Sequence, residues 1–280
     1  MPQSHELPQC NGWRDKDQVF KLLKYSYIQD TRLDDPQRVE LIKKIVLDKT
    51  FLKKVYQTWY ALILRELPRG PGMTLEIGSG AGFLKTCIPS LILSDIMHLK
   101  GMNLTCEGIR LPVKNQSLKA VVMLNVFHHI ASAESFFNEA CRCLKPGGRI
   151  IMIEPWTSSL GKLLYTRIHH EPCTLNAQTW SFDSSGPLSG ANIALPWIVF
   201  HRDRKKFESL FPDFFVRRLE PEVNFRYLFS GGLTFRPFLP GWTYSLVEKI
   251  ESWIPGFLLQ QIALFALIVV EKKTLPQCGQ

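Results

Sequence analysis

The sequence predicts a doubly wound α/β fold with a mostly parallel sheet, and three observations carry that expectation. Short apolar runs alternate with helical spacings through the middle of the chain, the pattern of strands and helices in alternation. Several runs are apolar without polar alternation, as strands covered on both faces are. A glycine-rich turn, Gly78-Ser79-Gly80-Ala81-Gly82, follows the first run directly, where the chain must bend sharply with no Cβ in the way.

The elements follow in order. Residues 1–14 read as a loose tail. From Asp17 to Pro68 the spacing is helical, with apolar residues at Val39, Ile42, Ile45 and Val46, then Leu52, Val55, Tyr56, Trp59, Tyr60, Ile63 and Leu64. Pro36 suits a helix start, and Pro68-Arg69-Gly70-Pro71-Gly72 ends the helical stretch. Strands are expected at 74–77, 91–94, 103–106, 120–125 and 149–154, and the glycine turn is expected to lead into a helix. A further helix spans 133–144, closed by Lys145-Pro146-Gly147-Gly148. Residues 156–204 are rich in Gly, Ser, Pro and aromatics with little period, the mark of a long binding insertion. A helix at 205–211 and a strand at 214–219 come next. The last apolar run, 262–270, is too short for the ~20 residues of a membrane-crossing helix and reads as a buried final strand.

The glycine spacing separates two cofactor classes. A dinucleotide-binding turn needs G-x-G-x-x-G, with the third glycine packing helix on strand. Phe83 stands at that third position, so the dinucleotide reading fails.

Glu76-Ile77-Gly78-Ser79-Gly80-Ala81-Gly82 resembles motif I of the class I S-adenosylmethionine-dependent methyltransferases, in their type 11-like form, and four further stretches agree in order. Asp95 ends the second strand, 19 residues after Glu76, and resembles the acid that accepts both ribose hydroxyls. Glu107-Gly108-Ile109-Arg110-Leu111-Pro112 resembles the adenine loop. Asn125-Val126-Phe127-His128-His129 resembles the segment beside the methionine moiety, and Leu144-Lys145-Pro146-Gly147-Gly148-Arg149 the turn into the fifth strand. The resemblance covers 74–155 and, more loosely, the final strand. It implies a Rossmann-like, seven-stranded sheet and S-adenosylmethionine as cofactor, with Glu76, Gly78, Ser79, Gly80, Gly82, Asp95, Glu107, Gly108 and Asn125 in the cofactor site. Two positions depart from the family: Glu107 stands where Asp is commoner, and Lys119 where Asp often precedes the fourth strand. Asn125 also has a plainer reading, satisfying strand-end backbone groups.

Methyl transfer from a sulfonium is an in-line displacement, so the protein's main task is to position the nucleophile in a dry pocket. A base is needed only where the acceptor loses a proton. The candidates are His129, Glu154 and His170. His129 alternatively braces the strand end. His169-His170-Glu171-Pro172-Cys173 invites a metal reading, but adjacent residues do not converge on one ion at zinc spacing, and no metal is expected.

The organisation expected is an N-terminal helical extension (1–70), a cofactor-binding core (71–155), a substrate-side insertion with remaining core elements (156–261), and a last strand and tail (262–280). Hydrophobic residues make up 45% and charged residues 21% of the chain, ordinary globular values that exclude disorder. No internal period indicates a repeat array. Seven scattered cysteines make a poor disulfide framework and, with no signal-peptide pattern, point to the cytoplasm. The net charge of +9 concerns partners rather than fold. No nucleic-acid-recognition motif accompanies it. The aromatics from Trp156 onward, dense from 233 to 259, form either a substrate-side core or an apolar patch. Rimmed by Arg202, Arg204, Lys205 and Lys206, such a patch would touch an anionic membrane at the periphery. The function expected is methylation of a small apolar or lipid-linked acceptor. Alternatives are a polar metabolite, sugar or nucleic acid acceptor, and a non-catalytic cofactor-fold binding protein.

Overall fold

The computed structural model describes residues 34–274, apart from 168, 170, 184–185, 187–189 and 223. Its strands are β1 (Met73–Ile77), β2 (Ile92–Asp95), β3 (Leu104–Thr105), β4 (Leu118–Leu124), β5 (Leu144–Pro155), β6 (Phe214–Glu222) and β7 (Phe265–Lys272). The helices are α1 (Pro36–Asp48), α2 (Thr50–Glu66), α3 (Ala133–Cys143), α4 (Ser159–Arg167), α5 (Arg204–Leu210), α6 (Phe225–Phe229), α7 (Tyr244–Ser252) and α8 (Gly256–Ile262). The strands form one sheet in the order β3-β2-β1-β4-β5-β7-β6. All neighbours are parallel except β7, which runs antiparallel to both β5 and β6.

The apolar character of β7 follows from its place between two strands, with both faces covered. Ala266, Ile268 and Val270 enter one core, while Leu267 and Val269 enter the core across the sheet. Strand β5 divides the same way, Ile150 and Met152 against Ile151 and Ile153. The first face is covered by Phe136, Phe137, Ala140 and Cys143 of α3 together with Ile198, Val199, Phe200 and Phe207. The second is covered by Phe51, Val55, Trp59 and Ile63 of α2 and by Tyr244 and Val247 of α7.

The structure corrects the expectation in four places. The glycine turn opens into a short 3-10 turn, Phe83–Thr86, instead of a helix. Pro89 lacks an N–H, and its ring would clash with the carbonyl four residues earlier in a continuing helix; the helices α2 and α7 cover that face instead. Lys145-Pro146-Gly147-Gly148 is carried within β5 as a bulge: Leu118 pairs with Leu144, but Ala120 pairs with Arg149, and Gly147 takes φ 75°. The long insertion holds α4 and a helical stretch from Leu195 to Arg202. Ile262 closes α8, and the final strand begins at Phe265.

Candidate cofactor and acceptor site

The turn after β1 runs through three left-handed glycines, with φ 65° at Gly78, 48° at Gly80 and 67° at Gly82. Gly78 is required by packing as well, because a Cβ there would stand 2.5 Å from Val126 Cγ2. At Gly80 an added Cβ meets nothing within 4 Å, so the main chain there borders open space. The turn is stitched to β2 by two serines. Ser79 N–H donates to Ser94 O at 2.9 Å, and Ser94 N–H donates to Ser79 Oγ at 3.1 Å. Both hydroxyls donate to Glu76 O, at 3.1 and 2.7 Å.

That stitching brings Asp95 to the turn. Its Oδ2 accepts from Gly80 N–H and its Oδ1 from Met97 N–H, each at 3.0 Å. Ile96 N–H is a further backbone donor to this carboxylate, and with about four acceptor sites it keeps capacity for a ligand. Burial raises the Asp95 carboxyl above its ordinary range, against the bonds from Met97 and Gly80. On the outer side of the turn, Val39, Glu40 and Lys43 of α1 join Gly80, Ala81 and Gly82 around a cavity of about 350 Å³.

Three buried side-chain oxygens near the strand ends have no hydrogen-bond partner among the described residues: Glu76 Oε2, Asn125 Oδ1 and Thr157 Oγ1. Buried polar atoms are nearly always paired, so these are the atoms a polar ligand would satisfy. Burial pushes the Glu76 carboxyl up to about 8. Asn125 is held at φ 56°, and its N–H donates to Ile153 O at 2.9 Å. The strand end is thus satisfied by the backbone, leaving the side-chain oxygen over. Glu107 is exposed and Gly108 buried; a Cβ at Gly108 would press on Ile130 Cδ1 at 2.9 Å, the far end of a side chain that would have to turn aside.

The residues after β4 are held from below by Glu154, which is fully buried. Glu154 Oε1 accepts from Val126 and Phe127 N–H at 2.8 Å each, and Oε2 from His128 Nδ1–H at 2.7 Å. With three donors engaged, Glu154 holds this segment in place. His128 Nε2 lies 3.4 Å from Glu171 Oε2, and His129 Nε2 lies 3.8 Å from Glu171 Oε1. Burial opposes charge on His128, but the bonds to Glu154 and Glu171 prevail and raise it to about 9. Burial and the neighbouring His128 lower His129 to about 4. Burial raises Glu171, yet the His128 bond and the charges of His128, His129 and His169 together outweigh it and the carboxyl settles at about 2. His169 Nδ1 accepts from Glu171 N–H at 3.2 Å, and His170 lies outside the described residues. Sequence reasoning found His128 and His129 but missed their convergence on Glu171, and it missed the Ser79–Ser94 stitch. Neither leaves a signal in local spacing.

The basic cluster does not rim the aromatic segment. Arg202 bonds Asp203 and the carbonyls of Leu175 and Ala177, Arg204 pairs with Glu208, and Lys206 pairs with Glu134. The helix α5 that carries Arg204, Lys205 and Lys206 packs through Phe207 on the α3 face of the sheet, whereas α7 packs on the other. The aromatic segment is also not simply a core. Trp242 is 80%, Trp253 69% and Phe257 75% exposed.

Residues 75–152 match the family model described as a methyltransferase domain. No curated protein sequence matches the chain. Among solved structures the chain is similar to the methyltransferase of Haloferax volcanii in complex with the Trm112 methyltransferase activator. The two are 12% identical with a TM-score of 0.51, over 87% of this chain and 99% of that one. It also aligns with an Aquifex aeolicus SAM-dependent methyltransferase, 13% identical with a TM-score of 0.42, over 84% and 98% of the two chains. Geranyl diphosphate C-methyltransferase from Streptomyces coelicolor is 10% identical with a TM-score of 0.43, over 95% and 100%. These likenesses are of fold. Sheet order, glycine turn and the family match over residues 75–152 together support a class I S-adenosylmethionine-dependent methyltransferase fold. The chain carries the methyltransferase domain of that class, whose cofactor is S-adenosylmethionine.

Proposed function

We propose that this protein transfers the methyl group of S-adenosylmethionine to an apolar or lipid-linked acceptor at a membrane surface. For the cofactor, Asp95 would take the ribose hydroxyls on its remaining lone pairs, and the bare backbone at Gly80 would lie against the adenosyl group. Glu76 and Asn125 would meet the polar methionine end, where their orphaned oxygens gain partners. The exposed Glu107 would reach the adenine amine. The bound cofactor supplies an electrophilic methyl carbon. The chain's own residues orient it and exclude water.

One observation carries the acceptor class: an apolar stripe on α7 and α8. Leu246, Ile250 and Trp253 recur at helical spacing and are 57%, 49% and 69% exposed, continued by Trp242, Phe257 and Leu258. The opposite side of α7 is buried through Tyr244, Val247 and Glu251. Exposed apolar patches of this kind mark interaction surfaces, and Trp with flanking cations suits the interface of a bilayer. The nearby acids Glu248 and Glu251 are bound to Arg226, while the cation of Lys249 lies 5.7 Å from the Trp253 ring. Among the described residues no helix is long and apolar enough to cross a membrane, so the contact would be peripheral.

Flotation with vesicles containing anionic lipid tests the surface. The wild type should rise with the vesicles, and the Trp253→Ser/Phe257→Ser variant should stay behind while keeping its urea midpoint. Equal behaviour of the two proteins would remove the stripe from the reading. Transfer of labelled methyl from S-adenosylmethionine into a lipid extract then tests the acceptor, and label found only in the aqueous fraction would refute it.

A further inference from the structure

Three side chains from two distant segments converge just beyond Asn125, at the carboxyl edge of the sheet. His128 Nε2, His129 Nε2 and a Glu171 oxygen all lie within 4.8 Å of one another, with Glu171 at 3.4 and 3.8 Å from the two histidines. An ordinary ion pair would not need the support found behind each imidazole. His128 Nδ1–H is fixed by the Glu154 carboxylate at 2.7 Å, and His129 Nδ1–H by Gly190 O at 3.0 Å. Both Nδ1 atoms are engaged as donors, so both Nε2 atoms are turned toward one carboxylate. Metal-bound histidines are held in this way, the second nitrogen donating to a carboxylate or a backbone carbonyl.

We propose that His128, His129 and Glu171 bind a divalent transition cation, zinc by preference, with a coordination position left open for the acceptor. Two imidazoles and a carboxylate suit zinc better than magnesium or calcium, which favour all-oxygen sites. Three protein ligands with an open fourth position is the arrangement of catalytic rather than structural zinc. At zinc–ligand distances of ~2.0–2.2 Å a tetrahedral site separates its donors by about 3.3–3.6 Å, near the 3.4 and 3.8 Å from Glu171 to the two histidines, and side-chain torsions would supply the remaining closure. The cluster also holds two carboxylates, Glu154 and Glu171, with side chains 0% and 17% exposed. His128 already offsets part of that charge, and a divalent cation would take the place of its Nε2 proton. Glu171 and His129, at 17% and 12% side-chain exposure, leave the open position accessible. Of the run 169–173 this cluster takes Glu171, and its histidines come from after β4.

The role of the open position rests on the methyl-transfer reading and points to an oxygen acceptor. A hydroxyl held there would give up its proton to solvent, as a zinc-bound water does at neutral pH. The oxygen would then form a bond to the methyl carbon as the carbon–sulfur bond breaks, the electron pair staying on sulfur.

Chelator-stripped full-length protein is titrated with cobalt(II), read by the visible absorption of a low-coordinate site, then with zinc in competition. One equivalent should bind. Because His128 is buried and its replacement could disturb folding, the test variants are His129→Ala and Glu171→Gln. Each should weaken metal binding by at least the ~10–100-fold that loss of even a supporting partner costs. Calorimetry with S-adenosylhomocysteine on the same samples separates the two readings. A wild type that binds S-adenosylhomocysteine but takes up no cobalt overturns the metal site, as does equal cobalt affinity in both variants. Cobalt uptake without S-adenosylhomocysteine binding leaves the metal site standing and overturns the methyltransferase reading.

Discussion

Gly78 and Gly80 sit two residues apart in one turn, both left-handed, yet replacing each by alanine should have different consequences. A left-handed residue with a Cβ costs ~1–2 kcal/mol, and that term is common to both variants. At Gly80 it should be nearly the whole effect on stability, because the new methyl group meets nothing within 4 Å. At Gly78 the methyl group would lie 2.5 Å from Val126 Cγ2 and 2.9 Å from Cγ1, so an overpacking cost of ~1–3 kcal/mol adds to it. Gly78→Ala should therefore lose ~2–5 kcal/mol, and Val126→Ala in the same chain should return the overpacking part. A double-mutant cycle on urea unfolding, followed by circular dichroism, measures that coupling. Cofactor affinity should show the converse order relative to stability. Gly80→Ala places its methyl group in the space assigned to the adenosyl group and should weaken S-adenosylhomocysteine binding while the fold is nearly intact. Equal stability of the two single variants, or zero coupling to Val126, would refute the reasoning. Undiminished S-adenosylhomocysteine binding by Gly80→Ala would move the adenosyl group elsewhere.

Three further outcomes are expected. Asp95→Ala should weaken S-adenosylmethionine and S-adenosylhomocysteine equally, by ~1.5–3 kcal/mol for lost bonds to a charged group, measured by calorimetry; unchanged affinity removes Asp95 from the site. Burial raises Glu76 from its ordinary 4.5 to about 8, so the folded protein holds a proton there that the unfolded chain releases above about pH 4.5. Stability should then fall as pH rises through that window. Glu76→Gln should flatten this slope in urea midpoints measured from pH 5 to 8.5, and parallel curves for the two proteins would contradict the assignment. Arg226, with a side chain 10% exposed, joins Glu251, Glu248 and the Tyr244 hydroxyl between α6 and α7. Arg226→Ala strands Glu251 in a buried place and should cost ~3–5 kcal/mol, read from the urea midpoint; a loss below 1 kcal/mol would show that water already screens the pair.

Much of this molecule was legible as local pattern, because local pattern is where main-chain demands are written. Glycines at 78, 80 and 82 mark three left-handed positions, and the unbroken apolar runs at 120–124 and 265–270 mark strands buried on both faces. Asp95 could be assigned to the turn from its distance along the chain, and the Gly80 N–H bond joins them. What the turn led into was misjudged, because whether a helix can form before Pro89 depends on how soon β2 must begin. Tertiary structure alone decided the rest. Glu171 meets His128 and His129 only because the insertion folds back over the end of β4. The basic cluster and the aromatic stripe separate because α5 and α7 pack on opposite faces of one sheet. Sequence spacing carries periodicity and turn chemistry, which act within a few residues. Which distant side chains share a cluster, and which apolar face is left uncovered, is set by the packing of whole elements and has no counterpart in any short stretch of the chain.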